Sequence, residues 1–190
     1  MDKSSASNLL GGSVYKIPAN IVSGEVGVIA ILSDKHYYEA EVDYSYSLNQ
    51  HIMSLEWGGA VKADHDLRIS NLVGGSVENW KVERSFGLVL MSKLCSAETI
   101  RRKISQLGWC LVDYHEAFAF GGIYQAHDLE IPVVALDVLF QIPTFGNHSL
   151  VFNYNYEMEG INLDLKQLRA DVPTKYFHLV VKNEAIYPIM

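Results

Sequence analysis

The chain has 190 residues, of which 49% are apolar and 19% are charged, and its formal net charge is −7. This length suits one hydrophobic core, so we predict that residues 1–190 form a single domain without structural metals or disulfides. The acidic balance excludes nucleic acid as a direct electrostatic partner, because phosphates select clustered Lys and Arg, and it argues equally against an anionic membrane surface.

Residues 1–8 are small and polar, which predicts a frayed terminus without the apolar core of a signal peptide. No run approaches the ~18 apolar residues of a membrane span. These features predict a cytoplasmic protein. The two cysteines, Cys95 and Cys110, are then expected to be buried free thiols and not a disulfide.

The first part of the chain has the patterns of short strands. Residues 14–22 are typical of an edge strand broken by Pro18, and the apolar run 25–34 is typical of a buried strand. Apolar and polar side chains alternate over 38–46, which predicts a strand with one wet face. We expect residues 51–63 to pair back on that strand.

A strand through residues 80–93 is expected to lead into the one principal helix of the fold, at about 96–107. Ser96 can cap this helix, and Gly108 can end it in the left-handed conformation. The spacing of its apolar residues is helical, and they form one stripe. These residues are Ala97, Ile100, Ile104 and Leu107.

Most of the second half also has strand patterns. Residues 109–120 are expected to form a strand, and the apolar run 131–143, between two prolines, a central strand covered on both faces. Segments 148–158 and 175–181 predict two more strands, whereas 161–169 suits either a strand or a helix. The predicted fold is therefore α+β and β-rich, a mainly antiparallel sandwich or open barrel.

One octapeptide occurs twice with a single difference, as SNLLGGSV at 7–14 and as SNLVGGSV at 70–77. Neither copy has the Lys followed by Ser or Thr, or the following helix, that a phosphate-binding loop uses. A Gly-Gly pair between apolar segments instead favours a hairpin turn between two strands, because both residues adopt positive φ without strain. We interpret the repeat as a trace of internal duplication, with chance similarity as the alternative.

Three residues are candidates for acid–base catalysis. If 109–120 is a strand, Asp113 and His115 share one face of it, and a carboxylate near an imidazole can orient the ring. Asp137 lies inside the most apolar run of the chain, where a carboxylate needs a partner. We expect Asp113, His115 and Asp137 to converge if the two strands are neighbours. The alternative is that Asp137 accepts a core hydrogen bond and His115 is half-exposed.

Metal binding has little support in the sequence. The segment Asp64-His65-Asp66 fails as an EF-hand calcium loop, because Arg68 stands where an oxygen ligand is needed and Ile69 where glycine is needed. No two histidines have the local spacing of a zinc motif, although distant histidines could meet in a barrel. We therefore predict neither a metal nor a cofactor.

The aromatic residues offer a ligand-binding alternative. Three tryptophans and the tyrosines of 38–46 could line a groove for a peptide, a sugar or a small apolar molecule, although core packing is the simpler explanation. These residues are Trp57, Trp80, Trp109, Tyr38, Tyr44 and Tyr46.

Of the function classes considered, the sequence favours a non-enzymatic binding, structural or regulatory protein. We expect it to act through protein–protein contacts, with self-association as a homo-oligomer or with another protein as its partner. The alternative is a small acid–base enzyme, or a small-ligand-binding β-barrel, that uses Asp113, His115 and Asp137.

Overall fold

The computed structural model describes residues 28–31, 38–57, 61–63, 66–67, 71–91, 95–124, 132–143, 145–155, 160–168, 171–172 and 176–183. Within these ranges the strands are β1 (Val28–Ile31), β2 (Tyr38–Asp43), β3 (Val61–Ala63), β4 (Asn71–Leu72), β5 (Lys81–Met91), β6 (Cys95–Ser96), β7 (Trp109–Leu111), β8 (Val133–Ile142), β9 (Gly146–Asn155), β10 (Gly160–Lys166), β11 (Asp171–Val172) and β12 (Phe177–Lys182). The ten-residue helices are α1 (Leu48–Trp57), α2 (Ala97–Gln106) and α3 (Tyr114–Ile123).

Ten of the strands form one curled mixed sheet, which is a half-barrel. Seven of them follow one another in the order β1-β5-β12-β8-β9-β10-β3. Strands β2, β4 and β7 join this sheet by pairing with β5, β8 and β12, and β6 pairs with β11 in a separate small sheet. The pairs are antiparallel except for β8 with β12 and β3 with β10. The β-rich α+β class is confirmed, in the form of an open barrel.

Several predicted elements lie where the sequence placed them. Strand β8 is flanked by β12 and β9 near the middle of the sheet. Helix α2 begins after Ser96, whose hydroxyl accepts a hydrogen bond from the Thr99 amide. Gly108 follows the helix with a φ of 79°, a value that favours glycine. The capping and stop signals therefore predicted this helix to within about one residue.

Two predicted strand segments are helices instead, so the prediction of one principal helix was wrong. Residues 48–57 form α1, and most of 109–120 belongs to α3, with a strand only at Trp109–Leu111. The reason is local, because each helix starts with a capping box. The amide of Ser47 donates to Gln50 Oε1 and the Gln50 amide donates to Ser47 Oγ, and Asp113 and Glu116 make the equivalent pair of bonds.

The sheet has a different layer on each face. Helices α1 and α3 cover one face, where Phe86, Leu88 and Leu90 of β5 join the main apolar cluster. Helix α2 covers the other face, where Val89 and Met91 of β5 pack with its buried isoleucines. This alternation follows from the two-residue period of a strand, and it separates the molecule into an α1–α3 face and an α2 face.

Gly74 and Gly75 both have positive φ, at 78° and 101°, as expected for a Gly-Gly pair. The predicted hairpin is wrong, however, because β4 pairs with β8 and β5 pairs with β1, β2 and β12, so the two flanking strands do not pair with each other. The two glycines lie in a loop over residues 73–80, which we call the Gly-Gly loop, and this loop joins β4 to β5. The first copy of the octapeptide, at 7–14, lies outside the described residues, as do 1–8 and 14–22. Internal duplication therefore stays a prediction.

The two thiols are free, but Cys95 is half-buried and Cys110 is exposed, so the prediction that both are buried was wrong. Strand β2 presents Glu39 and Glu41 to solvent and buries Val42. It pairs with β5 along one edge, and none of the other described strands pairs with its second edge. Among the described residues, no helix has both the length and the apolar character needed to cross a bilayer.

Candidate functional site

The N-terminus of α3 places two carboxylates side by side. Asp113 is the N-cap residue, and its Oδ1 accepts a hydrogen bond of 2.9 Å from the Glu116 amide. In return, Glu116 Oε2 accepts a bond of 3.0 Å from the Asp113 amide. Each carboxylate thereby satisfies an amide that the helix leaves without an intrahelical partner. The first task of both side chains is to start the helix.

His115 lies in the first turn of α3, and only 2% of its surface is exposed. Its Nδ1 is 2.9 Å from Nε2 of His51 on α1, and its Nε2 is 2.8 Å from the backbone oxygen of Ser76 in the Gly-Gly loop. A carbonyl oxygen can only accept, so His115 Nε2 carries a hydrogen. In the neutral ring Nδ1 is then an acceptor, and His51 Nε2 donates to it.

Glu116 makes a second set of contacts through Oε1. The hydroxyl of Tyr44 donates to this oxygen at 3.0 Å, and Arg84 Nε lies 3.2 Å from it in an ion pair. The Arg84 Nε–H is not aligned with the carboxylate as a hydrogen bond requires. Both charged side chains are buried, so their mutual attraction has to offset the loss of hydration.

Burial governs the protonation of this cluster. Loss of hydration raises the pKa of Asp113, and loss of hydration together with the Asp113 carboxylate raises the pKa of Glu116, which Arg84 partly offsets. The pKa of Tyr44 is also raised by burial and by Glu116. Burial, with the neighbouring His115 ring, lowers the pKa of His51 to about 4. Near neutral pH His51 is therefore uncharged.

Aromatic rings cover the cluster on the side of the Gly-Gly loop. Trp80 stacks on Tyr44 with ring centroids 4.1 Å apart and planes 8° from parallel. The Tyr44 ring is in turn 4.9 Å from His115. Gly75 lies so close to Tyr114 that a Cβ there would be 2.6 Å from the ring. The loop backbone thus rests directly on the start of α3.

A cleft of about 270 Å³ lies on the outer side of Trp80. Its other lining residues are Glu41, Asp43, Ser45, Asn79 and Lys81. Lys81 Nζ is 3.1 Å from Glu41 Oε1 and 3.0 Å from Asp43 Oδ2, so the cleft already contains an ion pair. None of the three residues predicted to be catalytic lines this cleft.

The structure brings Asp113 and His115 together at one helix turn, but it places Asp137 elsewhere. Asp137 Oδ1 accepts from Arg101 Nη2 at 2.6 Å, and Asp137 Oδ2 accepts from Arg101 Nε at 3.1 Å, which forms an exposed bidentate pair. Arg101 is on α2, so Asp137 belongs to the α2 face and His115 to the α1–α3 face. The three residues therefore do not converge at one site, and their catalytic role stays a prediction.

Sequence reasoning did not place His51, Arg84, Tyr44 or Glu116 beside Asp113 and His115. The Asp113-x-x-Glu116 spacing, a capping box ahead of an apolar run, was the available signal. This signal would have predicted a helix over residues 114–123, with Glu116 buried in its first turn. The partnership of His51 with His115, 64 residues apart, had no local signal.

The three tryptophans do not share a groove. Trp57 is exposed on α1, Trp80 packs on Tyr44, and Trp109 is buried on the α2 face. In the part of the chain that the structure covers, no three His, Cys, Asp or Glu side chains are grouped so that they could hold a metal ion. Asp64 and His65 lie outside that part.

Comparison with protein-family models, with curated proteins and with solved structures gave no match for this chain. Its function is therefore argued from its own residues.

Proposed function

We propose that this chain is a non-enzymatic binding or regulatory protein of the cytoplasm, which acts through protein–protein contacts that include self-association as a homo-oligomer. The observation that carries the proposal is the outer surface of α1. Met53 and Trp57, one helical turn apart, are 60% and 89% exposed. Tryptophan and methionine are enriched in protein interfaces, and a tryptophan in water leaves a large apolar area uncovered.

The internal chemistry of the cluster supports the same proposal. The Asp113 and Glu116 carboxylates accept backbone amides, and His115 uses both ring nitrogens in hydrogen bonds within the protein. A general acid or base needs an atom that can reach a substrate proton. These groups instead hold α1, α3 and the Gly-Gly loop together, which is a structural task.

Sedimentation velocity over a range of protein concentrations tests the proposal, with native mass spectrometry to identify bound molecules. We expect a homo-oligomer that Trp57→Ala and Met53→Ala dissociate. Phe145→Ala is the matched control, because Phe145 is also exposed but lies in the turn between β8 and β9. A monomer that carries a bound small molecule or metal would contradict the proposal and support a ligand-binding cavity.

One observation favours the acid–base alternative. His51 gives His115 a second imidazole partner, and two hydrogen-bonded imidazoles can pass a proton between them. If this pair is catalytic, His115→Ala abolishes an activity while the fold is retained. If the proposal above is right, the same variant changes only stability.

A further inference from the structure

The two histidines connect three segments that are far apart in the sequence. His51 belongs to α1, His115 to α3, and the carbonyl that His115 binds belongs to Ser76 in the Gly-Gly loop. The His51 ring also stacks on Phe118 of α3, with centroids 5.5 Å apart and planes 22° from parallel. A change in the charge of this pair therefore acts on the positions of α1 and the loop relative to α3.

The number of protons on the pair determines whether these contacts can persist. With both rings neutral, one hydrogen lies between His51 Nε2 and His115 Nδ1, which are 2.9 Å apart. One added proton can enter at the other nitrogen of His51 and leave this bond intact. With two added protons, both facing nitrogens carry hydrogens, and no acceptor remains between them. Two adjacent buried imidazolium ions then repel each other, so the rings must separate.

We propose that the His51–His115 pair is an acid-sensitive switch. When it takes up two protons, the rings separate and release α1 and the Gly-Gly loop from the first turn of α3, while the sheet stays folded. For α1 and the Gly-Gly loop to separate from α3, only the two imidazole rings need to change charge.

The charged groups around the pair do not remove the need for separation. From β2, Asp43 accepts hydrogen bonds from the amide and hydroxyl of Ser45 and pairs with Lys81. From α3, Asp113 caps the helix and Glu116 binds Tyr44 and, from β5, Arg84.

On the Gly-Gly loop, Glu78 binds the Trp80 indole and the Ser76 hydroxyl. On α1, Glu56 accepts from the Ala63 amide. The uncharged phenols of Tyr46 and Tyr114 flank the His51 ring. Each of these carboxylates thus makes its hydrogen bonds away from the two rings, and Asp43, which acts on His51 at a distance, offsets only part of the lowering of the His51 pKa. Burial and the neighbouring His115 ring lower the pKa of His51 to about 4, so His51 stays neutral in the closed pair over the pH range in which free imidazoles charge.

Amide hydrogen exchange of the full chain, followed by mass spectrometry from pH 7.5 to 5.5 and corrected for the intrinsic rate, tests the switch. If opening takes up two protons, we expect exchange in residues 48–57 and 73–80 to rise about 100-fold over this range. Exchange in β8 and β9 should not change. A rise of less than about threefold in the first two segments, or an equal rise in β8 and β9, would overturn the proposal.

His51→Gln removes one of the two titrating rings and can still donate a hydrogen bond to His115. We expect the rise to fall to about tenfold, the value for one proton, while the control His148→Gln, at a half-buried position on β9 outside the pair, keeps about 100-fold. A His51→Gln protein with the wild-type rise would overturn the proposal.

If His51→Gln does not fold, nitrogen-15 NMR of the wild-type imidazoles decides. Joint protonation of both rings as the loop opens supports the switch. Protonation of both rings with the loop still in place overturns it.

Discussion

On the α1–α3 face, Arg84 meets Glu116 at 3.2 Å, with side chains that are 9% and 6% exposed. On the α2 face, Arg101 meets Asp137 at 2.6 Å in a bidentate contact, with side chains that are 48% and 35% exposed. The second pair has the better geometry, but water already solvates its charges. The first pair has a single contact, yet each charge depends on the other because neither reaches water.

The comparison shows that the contact distance does not predict which ion pair loses more stability when one partner is removed. A buried pair contributes little net stability when it is intact, because desolvation offsets the attraction. Removal of one partner is costly, because the other charge is then buried without a partner. The exposed pair can lose either partner to water at little cost. Four predictions test this contrast, from the largest expected effect to the smallest.

Glu116→Ala should lower the free energy of unfolding by about 3–5 kcal/mol, because it leaves the Arg84 charge buried without a partner and removes half of the capping box. Urea denaturation at pH 7 measures it. Glu116→Gln is the control, since its one carbonyl oxygen keeps an acceptor for either Tyr44 or the Asp113 amide and it should lose less. A loss below about 1 kcal/mol for Glu116→Ala would mean that water reaches Arg84.

His178 extends the comparison to a buried group that has no partner. It is fully buried on β12, and neither ring nitrogen has a hydrogen-bond partner among the residues that the structure describes. Burial lowers its pKa from 6.5 to about 4. Between these values only the unfolded chain takes up the proton, so the free energy of unfolding decreases as the pH falls from 6.5 to 4.

From this shift, His178 should account for about 3 kcal/mol of lost stability at pH 4. His178→Leu should flatten that part of the pH profile in urea denaturation. An unchanged slope for His178→Leu would show that the ring finds a proton acceptor in the folded state.

Gly75→Ala tests the contact between the Gly-Gly loop and α3. Both Gly74 and Gly75 have positive φ, which costs an alanine about 1 kcal/mol at either position. A Cβ at Gly75 also meets the Tyr114 ring at 2.6 Å, whereas a Cβ at Gly74 meets nothing within 4 Å. Thermal unfolding should show a loss of about 2–3 kcal/mol for Gly75→Ala and about 1 kcal/mol for Gly74→Ala. Equal losses would mean that the ring moves freely.

Asp137→Ala should change the free energy of unfolding by less than about 1 kcal/mol, and this difference should shrink further in high salt. Urea denaturation with and without added salt measures both effects. Arg101→Gln is the matched variant and should behave in the same way. A salt-independent loss of several kcal/mol would place Asp137 in a structural role like that of Glu116.

The sequence predicted those elements whose signals are local and agree with each other. Helix α2 has an N-cap at Ser96, a stop at Gly108 and one apolar stripe between them. Strands β8 and β9 have flanking turns and either a long apolar run or clear alternation. Each of these features is visible within about a dozen residues, and each one points to a single structure.

Helix α3 could not be found by periodicity, because it is buried on almost every side. Seven of its ten residues are buried, so its sequence YHEAFAFGGI has no polar stripe to reveal the helical period. One of its two glycines, Gly121, allows the close approach of Phe152, since a Cβ there would be 2.9 Å from that ring.

The candidate site depended on the same assignment. With 113–116 as a strand, Asp113 and His115 share a face and Glu116 points away from them. With the helix in place, Asp113 and Glu116 bind each other's amides, and His115 turns toward His51. The contacts of Arg84 and Tyr44 with Glu116 join β5 and β2 to α3, and pairings over such distances are set by the topology of the sheet.

One edge of β2 pairs with none of the other described strands, and this edge bears on how copies of this protein could assemble. Glu39, Glu41 and Asp43 recur at every second residue of this strand, and Glu41 lies directly across from Glu83 on β5. A further strand paired at this edge would have to place its side chains next to a row of carboxylates. Charged edges of this kind prevent open-ended growth of a sheet into fibrils. Assembly through a helix surface would avoid that hazard, because it leaves the backbone of the edge in water.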